Sequence, residues 1–385
     1  MLARCELSDK HQSPPHMNIT QRSLIMQRWH VLQYELMPEL RSECGSLTPK
    51  LEKLVHILDW VRIEEWSMKT WQGIGRKPHD RGALANAFVA KAVLGLPTTR
   101  ALIERLEMDR ALRRLCGFST WKQVPDEATF SRAAAEFAEA KLAERVHEAL
   151  VKAYLGETLI GHISRDGTAI EAREKPGNKV PVAAVAKSEK GRRGRPKKGE
   201  ERPVKVNRIA LQRKQTLPAM LNNLPRDCDR GTKCNAQGYR NSWNGYKLHI
   251  DTADCGVPVS VLLTSASVHD SQTAVPLATM TAARVTNLYD LMDAAYCSAE
   301  LHEHSRSLGH VPLIDHNPRG GEKDEFEPAD AIRYKERSQA ERTNGRLKDE
   351  FGGRNVRVRG PDKVMSHLMF GILVLTADQL MRLFT

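Results

Sequence analysis

The chain is poor in aromatic residues, which make up 5% of its 385 positions, and it lacks any cysteine pairing pattern. Its seven cysteines, Cys5, Cys44, Cys116, Cys228, Cys234, Cys255 and Cys297, are odd in number and scattered, with no C-x-x-C among them. A disulfide framework is therefore not expected. Cys228 and Cys234 with His249 match no common zinc spacing and read as ordinary thiols and a histidine. No hydrophobic run approaches the roughly 18 apolar residues of a membrane span, and MLARCELSDKHQSPPHMN lacks the apolar core of a secretory signal. The expectation is a cytoplasmic protein with no membrane partner.

Acidic residues are also in short supply. Lys and Arg number 59 against 47 Asp and Glu, a formal charge of +12, and such an excess favours polyanionic partners such as nucleic acid. It is concentrated: Arg173 to Lys214 holds fifteen Lys/Arg against four Asp/Glu, a local +11. Within this stretch 190-KGRRGRPKKGEERP-203 is too rich in Gly, Pro and charge to pack on its own.

A chain of this length predicts two or three domains. Residues 1–150 read as an all-helical domain, with apolar positions at helix spacing in GALANAFVAKAVLGL, TRALIERLEMDRALRRL and DEATFSRAAAEFAEAKLAERVHEALVKAYL. Pro97-Thr98 and Pro125-Asp126 mark helix starts. Three short helices over 98–139 have room for a helix-turn-helix, and plain bundle packing fits the same pattern. Residues 151–385 read as a second domain, interrupted by a basic, flexible insertion at about 173–240, in which VNRIALQRKQTLPAMLNNL regains helical character.

In that second domain TLIGHISRD is a short apolar strand ending at Asp166-Gly167. YKLHIDT and VPVSVLLTSAS form a hairpin around Ala253-Asp254-Cys255-Gly256. A helix opened by Asp270 or Ser271 follows, then a strand ending at Asp293, a helix, the strand HVPLIDH, a further helix, and the apolar HLMFGILVLTADQLMRLF, expected to cover the sheet. The fold class is thus α+β, an all-helical N-terminal domain before a mixed sheet whose order resembles a ribonuclease H-like core.

In such a core the first strand and the strand after the helix lie side by side, which brings Asp166 and Asp293 together. The last helix contains 334-YKERSQAERTNGRLK-348, where an acid, Glu341, sits among bases. At about 100° per residue, Tyr334, Arg337, Glu341, Gly345 and Lys348 share one face. Carboxylates converging from separate elements suit phosphodiester cleavage with two Mg²⁺, which take oxygen ligands and keep several waters. Singly, each acid has a plainer reading: a turn at Asp166, a helix cap at Asp293, an ion pair of Glu341 with Arg337.

The segments DGT, NGYKLHIDTADCGVPVSVLLTSASVHDSQ, LMDAAYCS and YKERSQAERTNGRLK resemble the DDE transposases of bacterial insertion sequences. The last matches that group's Tyr, Arg, Glu, Lys signature at Tyr334, Arg337, Glu341 and Lys348. LGLPTTRALIERLEMDRALRRLCGF and VPDEATFSRAAAEFA resemble the helical N-terminal domain of InsH-type transposases. The resemblance implies Asp166, Asp293 and Glu341 as catalytic, metal-binding carboxylates for two Mg²⁺, with Mn²⁺ as substitute. It implies Tyr334, Arg337 and Lys348 as contacts to DNA phosphates. It also implies element ends and target DNA as partners, an end-binding and dimerising role for residues 1–150, a homodimer in the synaptic complex, and a bacterial, nucleoid-associated location. One departure is Ala295, where the group commonly has Gly after the second Asp; Ala tolerates fewer backbone conformations. A structure-specific nuclease of the same fold and a non-catalytic DNA-binding regulator derived from a transposase remain as alternatives.

RRGRPKK resembles an AT-hook, whose Gly-Arg-Pro core lies in the narrow minor groove of A/T-rich DNA. Arg193, Arg195, Lys197 and Lys198 would then contact DNA. As a plain solvated linker the segment would still be drawn to phosphates.

Overall fold

The computed structural model describes residues 47–67, 78–119, 123–177, 207–234, 237–318 and 321–384. The basic run carrying Arg193, Arg195, Lys197 and Lys198 lies outside them. The chain forms two compact units, one of Met1–Leu159, Arg284–Thr286 and Met369–Thr385, the other of Ile160–Ala283 and Asn287–Leu368.

The first unit contains α1 (Pro49–Val61), α2 (Ile63–Trp66), α3 (Arg81–Val93), α4 (Thr99–Met108), α5 (Arg110–Leu115), α6 (Glu127–Glu139) and α7 (Leu142–Leu155). The expected starts hold: Thr98 caps α4 and Asp126 caps α6, each side chain accepting from a backbone N–H of the first turn. With few aromatics available, the unit gathers them: Phe88 lies 5.9 Å from Phe130 edge-on and 5.5 Å from Phe370, and Trp60 stacks on Tyr154 at 4.8 Å. Phe370 belongs to the last helix, α14 (Pro361–Phe384). Its second half also supplies Asp378, whose carboxylate takes Lys53 at 2.7 Å and Arg382 at 3.1 Å. From Met369 onward the apolar C-terminal segment therefore belongs to the helical unit, where its sequence led one to expect a cover for the sheet. By length and composition α14 also qualifies as a membrane span, contrary to the reading of the hydrophobic runs, and 78% of its apolar window is buried within the protein.

The second unit is built on a six-stranded sheet of β1 (Leu159–Glu171), β2 (Asp229–Cys234), β3 (Arg240–Ala253), β4 (Pro258–Ser265), β5 (Thr286–Met292) and β6 (Val311–Ile314), in the order β2-β3-β1-β5-β6 with β4 also on β3. β1 runs antiparallel to β3, with Asp166 opposite Ile250, and β5 is parallel to β6. Around the sheet are α8 (Arg208–Gln212), α9 (Leu217–Asn222), α10 (Ala274–Ala282), α11 (Ala299–Ser307), α12 (Pro328–Tyr334) and α13 (Ser338–Asp349). This is the α+β, ribonuclease H-like arrangement that the element order predicts. Within the expected insertion, 207–234 folds into α8, α9 and β2. Strand β2 escaped notice because DRGTKC carries no apolar alternation; it forms by pairing with the first half of β3. Gly231 there lies under Trp243, whose ring comes within 2.5 Å of where a Cβ would be. Gly245 has φ +152, and a Cβ would sit 2.1 Å from the Ile170 carbonyl oxygen, so β3 can approach β1 here only through glycine.

Side chains alternate across the sheet, so neighbours on β1 face opposite ways. Arg165 points to the α10 side, buried, where its guanidinium donates to both oxygens of Asp251 on β3 at 2.8 and 2.7 Å and to Met292 Sδ on β5 at 3.3 Å. Asp251 also accepts from Thr281 of α10 at 2.6 Å. Burial opposes the Arg165 charge, but Asp251 and Asp290 outweigh it and keep the guanidinium protonated. This interior clamp ties together β1, β3 and β5 directly behind Asp166 and Asp293.

Candidate active site

Asp166 projects from the middle of β1 toward α13, and Asp293 follows the last residue of the neighbouring strand β5. The charge of Asp293 acts on Asp166. Burial and then the Asp293 charge push the Asp166 carboxyl up to about 6, with Arg337 and Lys233 opposing. Asp293 is pushed up by burial and by Asp270, against a hydrogen bond from Ala295, Arg337 and Lys233. Two carboxylates both held above their usual range in a half-buried place are a poor structure on their own and a good seat for a cation. The helix cap foreseen for Asp293 is instead the cap of a 3₁₀ turn, Ala294–Tyr296, where its Oδ1 accepts from Ala295 N at 3.0 Å; Ser298 caps the helix that follows. Ala295 needs no positive φ there, so the alanine in place of glycine is accommodated without backbone strain.

The helix stretch 334–348 is not one helix. α12 ends at Tyr334, a 3₁₀ turn occupies Lys335–Arg337, and α13 begins at Ser338. Three residues per turn in the middle rotate Tyr334 away from the face computed for a continuous α-helix. Tyr334 instead packs against Phe326 at 4.8 Å and donates its hydroxyl to the Met292 carbonyl at 3.2 Å, pinning α12 to the strand end beside Asp293. Glu341 is turned outward, 59% exposed, and holds Arg337 at 2.6 Å in an i,i+4 pair. It does not join Asp166 and Asp293. Among the described residues no group of three or more His, Cys, Asp or Glu could hold a metal ion. Arg337 is the link, because its charge acts on both aspartates while its fork holds Glu341.

Cations surround the pair. Lys348 is half-buried, its ammonium pulled down by burial and by Arg354 and Lys233, and drawn the other way by Glu171 and Asp166. Lys233, exposed on β2, acts on Asp166, Asp293 and Lys348 alike. Sequence reasoning missed it because it lies in the stretch taken as insertion. One further polar group was missed, and another was read first as a helix cap and only second as a support of the site. Asn344 of α13 donates from Nδ2 to Asp166 Oδ2 at 2.9 Å; the available signal was an Asn in the buried stripe Ala340, Thr343, Leu347. Asp270, expected to cap a helix, instead lies beside Gly167, its Oδ1 3.1 Å from Lys247 Nζ and 3.5 Å from the buried His249 Nδ1; His269 caps the 3₁₀ turn Asp270–Gln272, and α10 starts after Thr273 without a side-chain cap. Burial pulls His249 down to about 4, so it is neutral.

A ribonuclease H-like sheet presenting paired aspartates from adjacent strands within a ring of cations defines the class of metal-dependent enzymes that act on nucleic-acid phosphodiesters. The comparison with protein families narrows this. The Transposase DDE domain matches residues 160–377, more than half of the chain, and the Transposase domain (DUF772) matches residues 41–136. The chain belongs to the DDE transposases of insertion sequences, DNA-binding enzymes of mobile elements that use divalent metal ions. No curated protein and no solved structure matches it.

Proposed function

We propose that the chain binds the terminal inverted repeats of its element, cuts there by hydrolysis and joins the freed 3′-hydroxyls to target DNA. The observation that supports this best is the action of the Asp293 charge on Asp166, with Arg337 and Lys233 acting on both carboxylates and Lys348 coupled to Asp166. The pair fits Mg²⁺ or Mn²⁺: both ligands are carboxylate oxygens, and the Asp293 charge raises the affinity of Asp166 for a positive charge. When bound, two such ions would draw charge from the scissile phosphate and acidify the attacking water.

The protein's own groups carry the rest. Arg337 offers a planar fork for a phosphate, and Lys233 and Lys348 offer point charges on either side. An exposed i,i+4 pair contributes only about 0.5 kcal/mol, so a phosphate arriving at Arg337 displaces Glu341, which then turns in as the third acid. Tyr334 holds the strand end that carries Asp293. Water attacks the phosphorus at each element end and the 3′-oxygen leaves with a proton as a free hydroxyl. That hydroxyl attacks a target phosphodiester, whose own 3′-oxygen leaves in turn. The helical unit recognises the ends, and two protomers hold two ends in synapsis.

The test is incubation of the full chain with a plasmid carrying the repeats that bracket its gene, with Mg²⁺ or Mn²⁺. Cleavage at the repeats and joined products are expected. Cleavage indifferent to end sequence would indicate a structure-specific nuclease, and tight end binding with no cleavage under either metal would indicate a regulator.

A further inference from the structure

We infer that Asn344 is the residue of α13 that completes the cation site with Asp166 and Asp293, its amide oxygen serving as the third protein ligand. This rests on reading those two carboxylates as the cation-binding pair. Asn344 is 6% exposed and lies three residues past Glu341 on the buried face of α13. Its Nδ2 donates to Asp166 Oδ2 at 2.9 Å. Because an ionised carboxylate only accepts, that contact fixes which end of the amide faces Asp166 and leaves Oδ1 as the other end. Oδ1 is buried and makes no hydrogen bond to the protein. A buried amide oxygen with no donor is a desolvation cost that calls for a partner, and this one is attached to the side chain already touching Asp166.

A neutral amide oxygen is a ligand that hard divalent cations accept beside carboxylates. It also suits the local charge, since a third acid at this place would add to the repulsion between Asp166 and Asp293 before any ion binds. Glu341, the other oxygen-bearing candidate on α13, is 59% exposed and held by Arg337. In the DNA-free protein, then, the amide of Asn344 occupies the place on this helix that Glu341 takes up, or shares, once DNA engages Arg337. Nδ2 meanwhile fixes the orientation of the Asp166 carboxylate, as outer contacts of metal ligands do.

The experiment is Mn²⁺ titration of the full-length, DNA-free protein, with free Mn²⁺ followed by electron paramagnetic resonance, for wild type, D166N, N344A and N344D. Melting curves in EDTA report folding. N344A is expected to weaken Mn²⁺ binding about tenfold or more, and N344D, which puts a carboxylate where the amide oxygen was, to tighten it. Wild-type affinity in N344A overturns the inference. Weakening in N344D overturns it too, because the amide would then act only through Nδ2. If N344A does not fold, N344D decides alone. Unchanged affinity in D166N would instead overturn the reading of the aspartate pair itself.

Discussion

At the scale of single residues, the identity of a charge mattered less than what its neighbours leave it free to do. Glu341 and Arg337 both occupy signature positions, yet in the folded protein they hold each other, while Lys233, outside the signature, acts on both aspartates. A lysine in that position binds phosphate as a point charge, so its removal deletes one released counterion. K233Q is expected to weaken end binding across all sequences and to lower the slope of log affinity against log salt by about 1. Titration of binding at several salt concentrations measures this, and an unchanged slope would place Lys233 off the DNA. Sequence spacing could name the two aspartates, since a strand and a strand end fix their places. It could not name Lys233 or Asn344, whose relevance depends on β2 pairing with β3 and on the inward rotation of α13.

At the scale of elements, two features make opposite demands on stability. The Arg165–Asp251 pair is buried, with side chains 2% and 0% exposed, and it joins three strands behind the site. Breaking a buried pair from one side leaves the partner's charge uncompensated and costs about 3–5 kcal/mol. R165M is therefore expected to lower unfolding free energy by that order in urea titrations, and R165M/D251N to lose less than the sum of the single variants, because no lone charge remains. Gly345 lies inside α13, and a Cβ there would meet nothing within 4 Å. An interior helix glycine costs roughly 0.5–1 kcal/mol relative to alanine, so G345A should raise the melting temperature. If DNA lies along the face of Glu341, Gly345 and Lys348, the same methyl group should weaken end binding. Tighter binding together with higher stability would put the DNA elsewhere. Element type was largely legible from apolar spacing and from caps such as Thr98 and Asp126. The 3₁₀ turn at Lys335–Arg337 was not, since nothing in YKER departs from an ordinary helical pattern, and only packing of Tyr334 against β5 and Phe326 explains the break.

At the scale of the whole molecule, the change of apolar period after about residue 150 led one to expect two domains, 1–150 and 151–385, whereas the first compact unit also takes in Arg284–Thr286 and Met369–Thr385. The destination of the last helix was not legible, because an apolar run fits any core and its aromatics pair with Phe88 and Trp60 in the helical unit. That unit also contains Lys91, buried in α3, whose ammonium burial pulls down to about 8. Below pH 8 both the folded and the unfolded chain hold this proton, and the folded state bears the full cost of burying it. Between about pH 8 and the ordinary lysine value the folded state releases the proton first, the unfolded state binds more protons, and stability rises with pH. K91M should therefore stabilise the protein at pH 7 by about 2–3 kcal/mol, with the gain shrinking toward pH 10.5, as paired urea titrations at the two pH values would show. An equal gain at both would mean that packing, not charge, limits this position.

Metal-dependent cutting of DNA at element ends through Asp166 and Asp293 is the central proposal. The most direct measurement of that claim is cleavage of an end-bearing plasmid by wild type, D166N and D293N in Mg²⁺ and in Mn²⁺, with end binding followed in the same samples. The predicted result is that both variants keep end binding and yield no cleaved or joined product under either metal. Full cleavage by either variant would contradict it.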